Sequence, residues 1–240
     1  MLYVNGDSYM IQSTGKNTGD WLSENLNMPV INKSITGSSN DRIFRTSLRD
    51  LLNLKKDHKN ITAIVGLSFI YRKSIWDPIG QLEKWKNQDD GEFASYQMFT
   101  ELDWVSRLRL NKKFNKVPPH ILNYSKEWAR LFDPEAEMTI LLQEIELFST
   151  WCESHDIKYC IFSSPRQEDI IDLNAPFIKP FNDALSTKRN VLNIFEFSFL
   201  KFSEDNGFIG FDYDRHGKYA HQGEAAHKKF AEFLLDNYLK

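Results

Sequence analysis

The sequence has few cysteines, no long hydrophobic run and no block of basic residues. Cys152 and Cys160 are too few for a disulfide framework or a structural zinc site, so we expect both to be small buried side chains of a reduced, intracellular protein. No apolar run approaches the roughly 18 residues that cross a bilayer. The formal net charge is −3, and without clustered Lys and Arg we expect neither nucleic acid nor an anionic membrane as a partner.

The first residues also lack the pattern of a signal peptide. A short apolar run, Leu2 to Val4, gives way at once to polar residues, so we expect a cytoplasmic protein. Of the 240 residues, 41% are apolar and 14% aromatic, which is ordinary for a folded globular chain. We expect a single domain over residues 1–240.

Short apolar runs alternate along the chain with amphipathic segments. The runs predict strands at 2–5, 29–32, 61–65, 157–162 and 191–195, and the segments predict helices at 41–54, 134–154 and 224–239. Runs without polar alternation are typical of strands buried on both faces of a parallel sheet. The order therefore predicts a three-layer α/β/α sandwich around a mostly parallel, five-stranded sheet.

Residues 72–133 interrupt this alternation. The segment has no clear strand, and it contains Pro118-Pro119 and four tryptophans: Trp76, Trp85, Trp104 and Trp128. We expect helices and loops inserted after the third strand. Such an insertion serves either as extra packing surface or as a lid or ligand wall.

Several polar residues follow predicted strands, where parallel sheets bind ligands. Ser8 follows the first strand directly. Gly37 precedes a helix start, whose N–H groups suit a developing oxyanion, although a plain loop and helix cap explain the same residues. Ser68 follows the third strand and could donate a hydrogen bond there. Arg72 could hold an anionic or sugar substrate, or pair with a carboxylate.

Three histidines lie near the C-terminus. His221 directly precedes the last predicted helix, where a side chain can be held rigidly at the edge of the sheet, although a lone histidine there is more often a helix cap or a surface residue. We expect His227, inside that helix, to be structural. His216 lies a few residues earlier.

Together these residues resemble the SGNH/GDSL hydrolase superfamily, in order and spacing, from one end of the chain to the other. Gly6-Asp7-Ser8 matches its first block, and the resemblance makes Ser8 the nucleophile. Gly37 matches the glycine whose N–H joins that of Ser8 in the oxyanion hole, and His221 matches the catalytic base. The resemblance implies a flavodoxin-like fold of the SGNH type.

The oxyanion-hole block departs from the family pattern. The family has Gly-x-Asn-Asp after the third strand, whereas this chain has Gly66-Leu67-Ser68-Phe69. Either Ser68 itself or Asn40, which is near Gly37 in the sequence, could supply the missing donor. Losing one such donor outright costs roughly 10²–10³ in rate.

The last block departs as well. The family has Asp-x-x-His, but Lys218 stands three residues before His221, and a cation there disfavours the imidazolium formed during catalysis. The acid that orients His221 could be Asp214 or Asp212, or the site could work as a Ser-His dyad. His216 with Asp214 is a further pair, which fits the spacing less well.

The resemblance implies a serine ester hydrolase that needs no metal or cofactor and acts on small acyl esters or on carbohydrate O-acetyl esters. The alternative is a catalytically decayed relative with a binding or structural role, and the two departures motivate it. A flavodoxin-like nucleotide-binding protein is disfavoured, since no Gly-rich phosphate fingerprint follows the first strand.

Overall fold

The computed structural model describes residues 1–11, 15–35, 38–76, 93–97, 123–124, 127–128, 130–167, 171–208, 212–213 and 220–239. Its strands are β1 (Leu2–Asn5), β2 (Val30–Asn32), β3 (Thr62–Leu67), β4 (Arg72–Trp76), β5 (Phe93–Gln97), β6 (Lys158–Ser163), β7 (Asp212–Tyr213) and β8 (Ala220–His221). The α-helices are α1 (Thr18–Leu26), α2 (Asn40–Asp57), α3 (Pro134–Ser154), α4 (Ile178–Ser186), α5 (Phe199–Asp205) and α6 (Glu224–Leu234).

The central sheet consists of four strands in the order β2-β1-β3-β6. Every neighbouring pair is parallel: Leu2 pairs with both Val30 and Thr62, and Thr62 pairs with Lys158. Parallel strands bring their carboxyl ends to one edge of the sheet. The loops after β1, β2, β3 and β6 therefore meet at that edge, and the predicted α/β/α architecture is confirmed.

The prediction of a fifth strand at 191–195 is wrong. Val191 forms only an isolated parallel bridge with Ile161. The chain then turns at Asn193, whose side-chain Oδ1 accepts a hydrogen bond from the Phe195 N–H at 3.1 Å and whose carbonyl accepts one from the Phe197 N–H at 2.8 Å. An asparagine that bonds to the backbone two residues on favours a turn over a strand. Because of this turn, the segment forms isolated bridges instead of a fifth strand.

Helices cover both faces of the sheet. Alternate strand residues such as Tyr3 and Val65 lie in a cluster with residues of α2, α3 and α4. Their neighbours Val4 and Ile64 lie in a second cluster with residues of α1, α5 and α6. The period of two along each strand thus supplies both cores, because both faces of the sheet are apolar.

The two cysteines lie one in each cluster. Cys152 on α3 is fully buried in the first, and Cys160 on β6 is fully buried in the second. Both are free thiols. Burial raises the pKa of Cys152 to about 12 and also raises the pKa of Cys160. The prediction that both are buried side chains is confirmed.

Helix α3 has the bounds that its apolar periodicity predicts. Asp133 caps it by accepting hydrogen bonds from the N–H groups of Glu135 and Ala136, and Pro134 occupies the first turn, where its missing N–H is no loss. The last helix ends earlier than expected and continues as a π-helical turn, Leu235–Leu239. In the part of the chain that is described, no helix has both the length and the apolarity to span a membrane.

Strands β4 and β5 form an antiparallel hairpin within the 72–133 segment. Arg72 pairs with Gln97, and Trp76 pairs with Phe93. The expectation of helices and loops alone missed these two strands. Trp85 and Trp104 lie outside the described residues. Because Arg72 is the first residue of β4, the hairpin begins at the edge of the sheet where β3 ends.

Candidate active site

The turn after β1 carries Ser8. A Cβ atom on Gly6 would lie 2.6 Å from the Met10 Cγ and 2.9 Å from the Gly66 carbonyl oxygen, so only glycine fits there. Asp7 then caps a single 3₁₀ turn, Ser8–Met10, by accepting a hydrogen bond from the Tyr9 N–H at 3.1 Å. Ser8 is 8% exposed. The turn therefore holds Ser8 in a defined, nearly buried position at the carboxyl end of β1.

The buried side chain of Asn5 anchors the start of this turn. The side-chain Nδ2 of Asn5 lies 2.9 Å from the hydroxyls of both Thr46 and Ser47 and 3.1 Å from the Ile43 carbonyl, all on α2. Its Oδ1 accepts a hydrogen bond from the Gly6 N–H at 2.9 Å. Asn5 thus ties the start of the turn to α2. No local pattern predicts this role for Asn5, because its partners on α2 lie 38 to 42 residues further along the chain.

Asp7, Ser68 and Arg72 form a closed cluster beside the turn, which we call the Asp7 cluster. Arg72 Nη1 donates to Asp7 Oδ2 at 3.0 Å and to the Ser68 hydroxyl at 2.7 Å. The Ser68 hydroxyl in turn donates to Asp7 Oδ2 at 3.2 Å. Asp7 and Ser68 are fully buried, and Arg72 is 7% exposed. Arg72 therefore pairs with a carboxylate, one of the two roles that the sequence left open.

Asn40 and Ser68 bond to each other across the sheet edge. The Ser68 N–H donates to Asn40 Oδ1 at 2.7 Å, and Asn40 Nδ2 donates to the Ser68 carbonyl at 3.2 Å. Gln167, which no sequence pattern singles out, donates from Nε2 to the same carbonyl at 3.0 Å and to the Ser163 hydroxyl at 2.9 Å. These bonds join the start of α2 to the ends of β3 and β6.

The C-terminal candidates are described in part. Gly37, Asp214, His216 and Lys218 lie outside the described residues. For Asp212 and His221 the structure gives the backbone: the two are register partners in the antiparallel pair β7–β8. His221 lies just before Gly223, the N-cap residue of α6.

Helix α6 packs against α1, the helix that follows the Ser8 turn. The Thr18 N–H donates to His227 Nδ1 at 3.2 Å, and the Thr18 hydroxyl lies 2.8 Å from the same nitrogen. The Phe199 ring lies against the imidazole at a centroid distance of 4.9 Å. His227 is 1% exposed. This histidine joins the two ends of the chain, in keeping with the structural role expected for it.

A small cleft adjoins the Asp7 cluster. Asn40, Arg72 and Glu144 are among its lining residues. Burial, followed by repulsion from Asp41, raises the pKa of Glu144 to about 7. Among the residues whose side chains are described, no group of three or more His, Cys, Asp or Glu could hold a metal ion.

No protein-family model matches the sequence, and no curated protein matches it significantly. Solved structures do resemble the fold over nearly its full length. One is a protein assigned to the G-D-S-L family of lipolytic proteins, from Desulfitobacterium hafniense; it is 13% identical, with 97% of this chain and 95% of that chain covered and a TM-score of 0.44.

Two esterases are similar to the same extent. The acetyl xylan esterase AlAXEase is 9% identical, with 98% of each chain covered and a TM-score of 0.46. The psychrotrophic esterase EstA from Pseudoalteromonas is 10% identical, with 98% of this chain and 94% of that chain covered and a TM-score of 0.46. The solved structures to which this chain is similar thus include lipolytic proteins of the G-D-S-L family and esterases.

Proposed function

We propose that this protein is a serine ester hydrolase in which Ser8 is the nucleophile and His221 the general base. The observation that carries the proposal is the position of Ser8, which opens a capped turn at the carboxyl end of β1, a strand with neighbours on both sides. A serine at that position lies at the edge at which parallel sheets bind ligands. The packing of α6 against α1 supports the proposed proximity of His221 to Ser8, because it brings the helix after His221 beside the helix after Ser8.

In this mechanism His221 takes the proton of the Ser8 hydroxyl, whose oxygen attacks the ester carbonyl. The tetrahedral anion collapses, the bond to the alcohol breaks, and His221 returns the proton to the departing alcohol. Water, activated by the same imidazole, then cleaves the acyl-enzyme. The register of β7 and β8 favours Asp212 as the acid that orients His221, since the two residues are directly opposite each other and opposite residues of an antiparallel pair share a face.

The oxyanion hole in this proposal consists of the backbone N–H groups of Ser8 and Gly37, with Asn40 as third donor. The Ser68 hydroxyl has a single proton, and Asp7 accepts it. The Asn40 amide has two protons, and its bond to the Ser68 carbonyl uses one of them. Asn40 is therefore better suited than Ser68 to replace the asparagine that the third block of the family carries.

The substrates we propose are esters of small acyl groups, including acetyl groups on carbohydrates. A fluorophosphonate probe tests the nucleophile, because it reacts only with an activated serine. We expect the wild type to be labelled and to hydrolyse p-nitrophenyl acetate, and Ser8→Ala to lose labelling and at least about 10³-fold in kcat. Comparing the rates at which the protein hydrolyses acetylated sugars and p-nitrophenyl butyrate then tests the substrate class.

Ser34→Ala is the matched control, since Ser34 is a buried serine just beyond β2 at the same sheet edge; we expect this variant to keep full activity. If the folded wild type is neither labelled nor active on any of these esters, the hydrolase proposal is wrong. The catalytically decayed protein with a binding or structural role would then be the better interpretation.

A further inference from the structure

We infer that Arg72 is a positioning residue that holds the nucleophile turn and couples it to the β4–β5 hairpin. This inference rests on the proposed function in taking Ser8 as the nucleophile. It differs from the substrate-binding role that the sequence suggests for Arg72, because the side chain is buried and pairs with Asp7.

The first step is the contact between Arg72 and the residue before Ser8. The Asp7 carboxylate has two tasks: Oδ1 caps the 3₁₀ turn through the Tyr9 N–H, and Oδ2 accepts from Arg72 and Ser68. Because both oxygens belong to one planar group, the position of the guanidinium sets the orientation of the Asp7 carboxylate. That orientation in turn determines the hydrogen bond to the Tyr9 N–H. A short side chain such as aspartate transmits this constraint directly to the backbone of the next residue.

The second step is the strength of the constraint. Charge-assisted hydrogen bonds are about twice as strong as neutral ones, and a buried environment strengthens them further. The Arg72–Asp7 pair is charged on both sides and almost entirely buried. The Phe69 ring lies 5.0 Å from the guanidinium carbon and stacks on Tyr71. The Arg72 guanidinium thus contacts an aromatic ring as well as two oxygens.

The third step is the place of Arg72 in the chain. It is the first residue of β4 and pairs with Gln97 of β5. A shift of the hairpin at this residue moves the guanidinium against Asp7 and so changes the turn that carries Ser8. The hairpin and the nucleophile are therefore mechanically linked through one side chain.

The test combines two measurements on Arg72→Gln, Arg72→Lys and Ser68→Ala. Hydrogen exchange of the peptide that covers residues 3–12 reports the turn without any need for activity. We expect exchange there to speed up in Arg72→Gln by at least about tenfold more than in a peptide from α3, with partial protection in Arg72→Lys. For p-nitrophenyl acetate we expect kcat to fall by roughly 10–100-fold in Arg72→Gln with KM within about twofold.

Arg130→Gln is the matched control, because Arg130 forms an exposed pair with Glu127; we expect wild-type exchange and kcat. Unchanged exchange and kcat in folded Arg72→Gln would overturn the inference, and so would a raised KM with unchanged kcat, which would assign Arg72 to the substrate. If Arg72→Gln does not fold, the same two measurements, exchange of residues 3–12 and kcat against KM, are made on Arg72→Lys and Ser68→Ala. Unchanged exchange and kcat in both variants would then overturn the inference. Faster turn exchange in a protein without esterase activity would support the positioning role and refute the proposed function.

Discussion

The nucleophile side and the C-terminal side of the proposed site are held by buried polar contacts of different kinds. On the nucleophile side, Asp7 and Arg72 form an ion pair at 3.0 Å with Ser68 between them. On the C-terminal side, His227 accepts hydrogen bonds from Thr18 and lies against Phe199. The Thr18 N–H can only donate, so His227 Nδ1 carries no proton and acts as the acceptor.

This difference indicates how each side responds to mutation. Removing one partner of a buried ion pair strands the other charge, whereas losing a hydrogen bond to an uncharged nitrogen leaves only a polar group unsatisfied. The ion pair also has stricter geometric requirements than the contact between Thr18 and His227, since one carboxylate both caps the turn and binds the guanidinium. We therefore expect the nucleophile side to be the more sensitive of the two.

The largest effect is expected for Asp7→Asn. Asparagine can still cap the Tyr9 N–H, but it removes the charge that pairs with the buried Arg72, which costs about 3–5 kcal/mol in the free energy of unfolding. Urea denaturation measures this cost. The double variant Asp7→Asn/Arg72→Gln should recover at least about 1 kcal/mol, because it removes both charges. Strictly additive losses in the double variant would show that the two side chains do not act as a pair.

A smaller effect is expected for His227→Ala. The change leaves the buried Thr18 N–H without an acceptor and opens space beside Phe199, and we expect a loss of about 2–3 kcal/mol in urea denaturation. His227→Gln offers a side-chain oxygen to the same N–H and should recover about half of that loss. A cost for His227→Ala equal to or above that of Asp7→Asn would invert the comparison between the two sides.

The sequence predicted the sheet better than the site, and the residues show why. Continuous apolar runs such as that of β3 and the periodicity of α3 are local signals, and Pro134 marks the start of the helix. Gly66 was expected to end the third strand, but β3 continues to Leu67. The turn at Asn193 was missed, although an asparagine inside a weak apolar run is a usable signal for a turn. Helices α1, α4 and α5 were missed as well.

The partners within the site are separated along the chain, and for that reason no local pattern predicts them. Asp7 and Arg72 are 65 residues apart, and Gln167 is 99 residues from Ser68. The sequence placed Ser8 and Ser68 at one edge because both follow strands. It could not tell that Ser68 bonds to Asp7, since that depends on which strands are neighbours. The order β1-β3 decides it.

The smallest effect, and the one that depends on pH, is expected beside the Asp7 cluster at Glu144. Its pKa of about 7 lies above the ordinary value of 4.5, chiefly because of burial. The folded protein therefore binds a proton there that the unfolded chain has released, so Glu144 costs stability progressively as the pH rises from about 4.5 through 7. Glutamine mimics the protonated form at every pH. We expect Glu144→Gln to be about 1–2 kcal/mol more stable than the wild type at pH 8, once the partial exposure of Glu144 is taken into account, and indistinguishable from it at about pH 4.5.

Urea denaturation at both pH values measures this difference. The exposed Glu146, which pairs with Lys188, provides the control: Glu146→Gln should gain no stability at pH 8. A gain for Glu144→Gln that is equal at both pH values would mean that packing, not charge, is responsible. A gain confined to high pH would show that the charged form of Glu144 opposes folding because it is buried, whereas the carboxylate of Asp7, which is also buried, accepts hydrogen bonds from Tyr9, Ser68 and Arg72 and supports the fold.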